Sequence, residues 1–291
     1  MLPLESVPNV SEGRDPTAIA AIGEAFASHA RLLDTHSDAD HHRSVFTLAG
    51  IDGDDALVES LVAGIERARK LIDLRRHEGV HPRVGAADVV PLVPIRPEDM
   101  DRARAAALAV GQRVGEGLGL PVFLYGESGA GRRPAFFRRG GPEALQARVD
   151  AGELAPDFGP LKLDPGAGAV LVGARAPLVA FNIDLTTEDV EIARAIAATV
   201  RESSGGFASL QALGLVLAGR AQVSMNILDT SRTALHEVVE RVTEEARRRG
   251  VDVLRGELVG LMPASVAVDA AAGRLALPEL DASKILELRL L

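Results

Sequence analysis

The chain has 291 residues, 47% of them hydrophobic and 25% charged, enough to bury one large core or two modest ones. It contains no cysteine, which excludes disulfides, thiolate metal ligands and a cysteine nucleophile. A formal net charge of −9, a single tyrosine and no tryptophan argue against general nucleic-acid binding, which needs a basic surface and stacking platforms.

Residues 3–10 read as a strand, broken by the turn-prone Asn9, Ser11 and Gly13. Asp15 followed by Pro16 marks a helix start, and Ile19, Ile22 and Phe26 continue at helical spacing. Residues 31–34 resume a strand, residues 36–42 form a polar loop, and residues 44–49 form a strand apolar on both faces. Asp54 or Asp55 then caps a long helix with Leu57, Leu61, Ile65, Ala68 and Ile72 along one stripe. After it comes the least periodic stretch, RHEGVHPRVGAADVVPLVP at residues 76–94, whose second half is a strand. A helix over 98–117 and a strand over 120–125 follow. Residues 127–142 are rich in glycine and arginine, a short helix spans 143–151, and residues 155–170 are again irregular. Loops this long are usually functional or disordered.

From residue 178 the order is strand (178–185), helix (187–201), two strands (210–217 and 221–228), helix (233–249) and strand (251–259). This is the split βαβ order of ferredoxin-like domains, and residues 3–95 show it too. The tail from Ala264 reads as helical, with a turn over 273–278. The expected fold is therefore α+β, with two ferredoxin-like subdomains (residues 1–176 and 177–291) and a site in the cleft where they meet.

Three constellations could carry chemistry. His36-Ser37-Asp38-Ala39-Asp40-His41-His42 alternates metal-ligating types and loosely echoes the metal loop of metallo-β-lactamase-like hydrolases, but further ligands downstream are few. His77 and His81 lie on a glycine-flanked loop, and Pro82 pushes His81 toward extended backbone. The DPGAG run at 164–168 would let a backbone approach a flat ligand closely. No dinucleotide fingerprint, Walker pattern or nucleophile elbow is present.

Laid out this way, the chain resembles the formiminotransferase family. The matching segments are VPNVSEGR (7–14), HRSVFT (42–47), HEGVHPRVGAADVVPLVP (77–94), VFLYGE (122–127) and APDFGP (155–160). GAR (173–175), AFNIDL (180–185), QVSMNILD (222–229) and ELVGLMP (257–263) complete the set in order. The resemblance implies two subdomains with facing sheets, helices outside, and a ligand tunnel between them. It implies transfer of a formimidoyl group from N-formimidoyl-L-glutamate to N5 of tetrahydrofolate, a step of histidine degradation and one-carbon metabolism. It also implies a single-function form without a cyclodeaminase domain.

Residue by residue, the family's HPR-x-G histidine falls on His81, the catalytic acid/base. His36 and Asp38 are both candidates for the group that assists it. The folate stretch falls on Leu161, Lys162, Leu163, Asp164, Pro165, Gly166, Ala167, Gly168, Ala169 and Val170, where the glycine and proline match better than the other side chains. Both ligands carry carboxylates, so Arg14, Arg43, Arg83 and the arginines of 132–139 are candidate anion partners, with Asn9 beside them. Tetrahydrofolate is expected as co-substrate and no metal is expected. The partners expected are these small molecules and a second copy of the chain, with no nucleic acid and no membrane. The N-terminus lacks a basic stretch before an apolar core, and no apolar run would span a bilayer, so a cytoplasmic location is expected. The rivals are a metal-assisted amidohydrolase built on His36 to Asp40, and a non-catalytic folate-binding module. The sequence leaves the exact formimidoyl or formyl donor open.

Overall fold

The apolar run at the N-terminus becomes a strand that its own proline divides, β1 (Leu4–Ser6) and β2 (Asn9–Val10). Pro8 has no N–H and keeps only its carbonyl in the ladder, where the Phe46 N–H donates to it at 3.0 Å. The computed structural model describes residues 2–79, 81–277 and 279–286, and in it the chain divides into two units, Met1–Ala176 and Pro177–Leu291.

In the first unit the Asp15 carboxylate caps α1 (Pro16–Phe26) by accepting from the N–H groups of Thr17 and Ala18. β3 (Arg31–Asp38) and β4 (Arg43–Ala49) form a hairpin, α2 (Asp54–Leu71) follows, and β5 (Ala87–Pro94) completes a βαββαβ unit. The strand order β5, β1/β2, β4, β3, antiparallel throughout, is that of the ferredoxin-like fold. The unit then extends its sheet. After α3 (Met100–Gln112) come β6 (Val122–Gly126), α4 (Pro134–Arg138), α5 (Gly141–Asp150) and β7 (Val170–Ala174). β7 inserts between β5 and β6, parallel to both.

Several sequence expectations are corrected here. β7 was not foreseen. Its five residues follow a glycine-rich loop and are buried on both faces, so no alternation marks them. The loop expected over 36–42 is strand as far as Asp38, because the hairpin register pairs Asp38 with Arg43 and His36 with Val45. Gly53, not an aspartate, is the N-cap of α2; Asp54 and Asp55 lie in the first turn, where their charge meets the helix dipole. The helix expected over 98–117 is a 3-10 turn (Pro97–Asp99), α3, and one π turn (Arg113–Gly117).

The core of this unit joins α1 and α2 to the sheet through Ile22, Phe26, Phe46, Leu57, Leu61 and Ile65, all fully buried. Gly64 on α2 lets Phe26 lie flat against the helix: a Cβ there would sit 2.0 Å from Phe26 Cδ1. Gly64→Ala should therefore destabilise the protein by about 1–3 kcal/mol from overpacking, despite alanine's advantage of about 1 kcal/mol in a helix. A lower urea midpoint than wild type is the expected result, and a higher one would show that Phe26 yields freely.

The second unit repeats the ferredoxin-like order with β8 (Val179–Leu185), α6 (Val190–Val200), β9 (Leu210–Leu217), β10 (Arg220–Ile227), α7 (Leu235–Arg248) and β11 (Val253–Val259). Its antiparallel sheet runs β11, β8, β10, β9. Leu235, Val238, Val242 and Ala246 bury the apolar stripe of α7. A last helix, α8 (Ala264–Leu275), packs on α7, where Gly273 lies against the His236 ring. The turn expected over 273–278 ends at Pro278, which lies outside the described residues, as do residues 287–291. Among the described residues no helix is long and apolar enough to cross a membrane.

Candidate active site

The loop bearing His81 is held by the tip of the β3–β4 hairpin and by its own arginine. After α2 a 3-10 turn (Leu74–Arg76) hands the chain to His77, which is buried. The His77 ring stacks on His42 at 4.1 Å between centroids, and its Nε2 lies 3.0 Å from the His42 carbonyl oxygen. His42 has a positive φ of 50° and is fixed by Glu12 Oε1 at 3.1 Å from its Nε2. Gly79 permits this docking: a Cβ there would come within 2.7 Å of the His41 carbonyl oxygen. Arg83 donates to the carbonyls of His77 (2.8 Å), Gly79 (3.0 Å) and His81 (3.2 Å). His77 thus ties the loop to the hairpin through its stack on His42 and its contact with the His42 carbonyl. Arg83 is engaged as a clamp on loop carbonyls.

Beside this loop lies a cluster of buried charge. Asp88 is fully buried at the register irregularity between the Asn9–Val89 and Val10–Ala87 pairs, where it is the extra residue on β5. Its carboxylate accepts from Arg43 Nη1 at 2.9 Å, Arg138 Nη2 at 2.5 Å and the Val84 N–H at 2.8 Å. Burial opposes its ionisation, but Arg138, Arg43 and the Val84 N–H outweigh burial and hold its pKa down at about 2. Arg43, itself buried, also donates through Nε to Asn9 Oδ1 at 2.9 Å. Two guanidiniums share one carboxylate, so the cluster carries an excess positive charge. That charge reaches His81. Burial first, then Arg43 and Arg138, push the imidazole pKa down to about 2, and Asp88 only partly offsets them. His81 is therefore neutral, and its Nδ1 is buried without a hydrogen-bond partner among the described residues.

The comparisons with known proteins fit this geometry. Residues 3–175 match the family description "Formiminotransferase domain, N-terminal subdomain", and residues 180–276 match "Formiminotransferase domain". The chain belongs to the formiminotransferase family. It is similar to the glutamate formimidoyltransferase of Streptococcus pyogenes serotype M1, with 39% identity over 99% of this chain and 98% of that protein. The glutamate formimidoyltransferase of Thermoplasma acidophilum is also 39% identical, over 98% of this chain and 96% of that one. The longer formimidoyltransferase-cyclodeaminase of Sus scrofa is 42% identical, and the match covers 92% of this chain and 52% of that protein.

The other expected site residues of this formiminotransferase chain fall into two groups. Asn9, His36, Asp38 and Arg43 come together on β2, β3 and β4 through the register that pairs Asn9 with Val45, His36 with Val45 and Asp38 with Arg43. Asp38 accepts from the His41 N–H at 2.6 Å and lies 3.2 Å from His41 Nδ1; this bond holds its pKa down at about 2. The His41 ring in turn meets the His81 ring edge-on at 6.1 Å. Arg14 is exposed and donates through Nε to the Ala39 carbonyl at 2.8 Å.

The 161–170 stretch is stitched to the histidine loop by its backbone. Ala169 N–H donates to the Val84 carbonyl at 2.9 Å, and Ala86 N–H donates to the Ala167 carbonyl at 2.8 Å. Leu163, Ala167, Ala169 and Val170 bury their side chains in the core, whereas Leu161, Lys162 and Pro165 are exposed. Asp164 uses Oδ1 to accept from the N–H groups of Gly166 and Ala167, both at 2.9 Å, and so shapes the turn. Gly168 completes it at φ 70°.

Sequence reasoning did not single out Asp88, named His41 only within the His36 to His42 run, and treated Arg138 only as one of a group. For Asp88 a signal was present: a carboxylate inside the apolar run AADVVPLVP demands a buried cation. Arg138 looks no different from Arg132, Arg133 and Arg139 in the sequence, but those three are exposed. Among the described residues no group of three or more His, Asp or Glu side chains converges to hold a metal ion.

Proposed function

We propose that the chain transfers a formimidoyl group from N-formimidoyl-L-glutamate to N5 of tetrahydrofolate, with His81 carrying the proton. The observation that carries this reading is the neutral, half-buried imidazole of His81 beside the excess positive charge of Arg43, Asp88 and Arg138. The transfer itself is supported by family membership and by the names of relatives matched along nearly their whole length.

The reaction exchanges one amine for another at an amidine carbon. As N5 attacks that carbon, its N–H proton must leave. His81 is unprotonated in the free protein, and a donor carboxylate that offsets the charge of Arg43 and Arg138 would raise its basicity for that transfer. When the tetrahedral species collapses, the same proton passes to the glutamate nitrogen, whose bond to carbon breaks. The products are 5-formimidoyltetrahydrofolate and L-glutamate, with no net proton gained or lost by the protein. Asp38 holds His41, whose ring meets His81 edge-on, so we place it as the group that orients His41 at the edge of the site. The 161–170 backbone, bonded to Val84 and Ala86, would carry the folate next to the histidine loop. Subdomains of residues 1–176 and 177–291, a cytoplasmic location and a homodimer complete the proposal.

An assay with tetrahydrofolate and a panel of donors tests it. N-formimidoyl-L-glutamate should yield 5-formimidoyltetrahydrofolate and L-glutamate in equal amounts, ahead of N-formimidoylglycine and N-formylglutamate. Hydrolysis of the donor without tetrahydrofolate, dependent on a stoichiometric metal, would overturn the reading in favour of an amidohydrolase.

A further inference from the structure

The arginine-rich segment 132–139 delivers one side chain inward. Arg132 and Arg148 lie over the Phe136 ring at 5.1 and 4.4 Å, and Arg133 and Arg139 face solvent. Arg138, at the end of α4, turns the other way and reaches Asp88. Its Nε is buried with no hydrogen-bond partner among the described residues. A guanidinium has five N–H donors in a planar fork matched to a carboxylate, and Asp88 is shared with Arg43. Two cations on one buried anion leave a charge that burial makes costly and that an incoming carboxylate would neutralise.

The other charged or titratable groups around the cluster do not supply that anion. His81 is neutral, Arg83 is cationic and spent on loop carbonyls, and Tyr125, on β6, is held in its un-ionised form by burial, its pKa pushed up to about 12. Asp38 already accepts from His41.

We propose that Arg138, tied to Arg43 through the shared carboxylate of Asp88, is a specificity-determining residue that receives a carboxylate of the amidine donor beside His81. The inference rests on the formimidoyl-transfer reading and adds to it the place where the donor's anionic end is held. Arg43 is the less available partner, since Asn9 and Asp88 already take its Nε and Nη1. On this assignment the donor's amidine carbon is delivered to His81 by its carboxylate, and a donor without one loses its anchor.

The test is steady-state kinetics of wild type, R138K and R138Q with N-formimidoyl-L-glutamate and with formamidine, an amidine that has no carboxylate. Removing a charge-assisted hydrogen bond to a substrate is expected to cost about 10- to 100-fold in kcat/KM. That loss should fall on KM for N-formimidoyl-L-glutamate, with KM for tetrahydrofolate little changed. The preference of wild type for N-formimidoyl-L-glutamate over formamidine should shrink by the same factor in R138Q and by less in R138K. Should R138Q fail to fold, R138K carries the test, because it keeps the charge opposite Asp88 and loses only the fork. Equal losses with both donors, or an unchanged KM for N-formimidoyl-L-glutamate, would overturn the proposal. A wild-type protein that transfers nothing from N-formimidoyl-L-glutamate would instead overturn the functional reading on which it rests.

Discussion

Replacing His81 with alanine is expected to lower kcat for formimidoyl transfer by about 10²- to 10⁴-fold, the range for loss of a positioned proton carrier. Tetrahydrofolate binding should survive, because the 161–170 turn is held by backbone bonds to Val84 and Ala86 and by the Asp164 carboxylate, none of which needs the imidazole. Tetrahydrofolate affinity measured by titration calorimetry beside kcat separates the two effects. His81→Gln keeps much of the side-chain volume and should be as inactive as His81→Ala. The pH profile adds a second check. His81 is held at a pKa of about 2, so in the free protein it stays in its basic form through pH 5–8. The profile of kcat/KM, which reports the free enzyme, should therefore show no acid limb that His81→Gln removes within that range. Transfer that persists in His81→Ala within a few-fold of wild type would remove His81 from the mechanism and leave the His41–Asp38 pair as the next candidate.

The sequence carried the fold further than it carried the site, for physical reasons that particular residues show. Both βαββαβ units were legible because local signals agreed. The Asp15–Pro16 start, the Leu57–Leu61–Ile65 stripe and the seven buried residues of β4 each point to one structure. β7 was not legible, because a parallel strand inserted between β5 and β6 depends on a long-range pairing that no local pattern announces. At the site, His81 could be separated from His77 by the family motif alone. The two differ in surroundings: His77 stacks on His42, while the charges of Arg43 and Arg138 act on His81 through space. Arg43 was marked as a candidate anion partner. Its Asp88 partner lies 45 positions away in the chain, and Arg138 lies 50 beyond Asp88, so their meeting depends on tertiary structure. A polar residue in an apolar strand is the one local sign that such a cluster exists.

That sign leads to the largest stability effect we expect. Asp88→Ala removes a fully buried carboxylate and leaves Arg43 and Arg138 facing one another without compensation, and the Val84 N–H without its acceptor. Breaking a buried ion pair from one side costs about 3–5 kcal/mol, because the remaining charge stays desolvated. A urea midpoint lowered by the equivalent amount is the expected result, with Asp88→Asn falling between Asp88→Ala and wild type, since its amide oxygen can still accept from Val84. Acid dependence gives the sign. The Asp88 carboxyl has a folded pKa of about 2, below an unfolded value near 3.9, so it contributes stability that is complete above about pH 4 and lost as pH falls through about 2. The histidines act in a different window. His77 is held down at about 4 and His81 at about 2 by burial, so the unfolded chain binds protons that the folded one refuses once pH drops below about 6.5. Wild type should thus lose stability continuously below about pH 6.5, through His77 down to about pH 4 and through His81 down to about pH 2. Asp88 steepens the loss below about pH 4. Asp88→Asn should keep the loss due to the histidines and lack the share due to Asp88, so that its stability falls less steeply below about pH 4 and the gap between it and wild type narrows toward about pH 2. Should the two proteins instead lose stability in parallel below pH 4, the Asp88 charge does not hold Arg43 and Arg138 in the folded state. The anchor proposed for the donor would then lack its support.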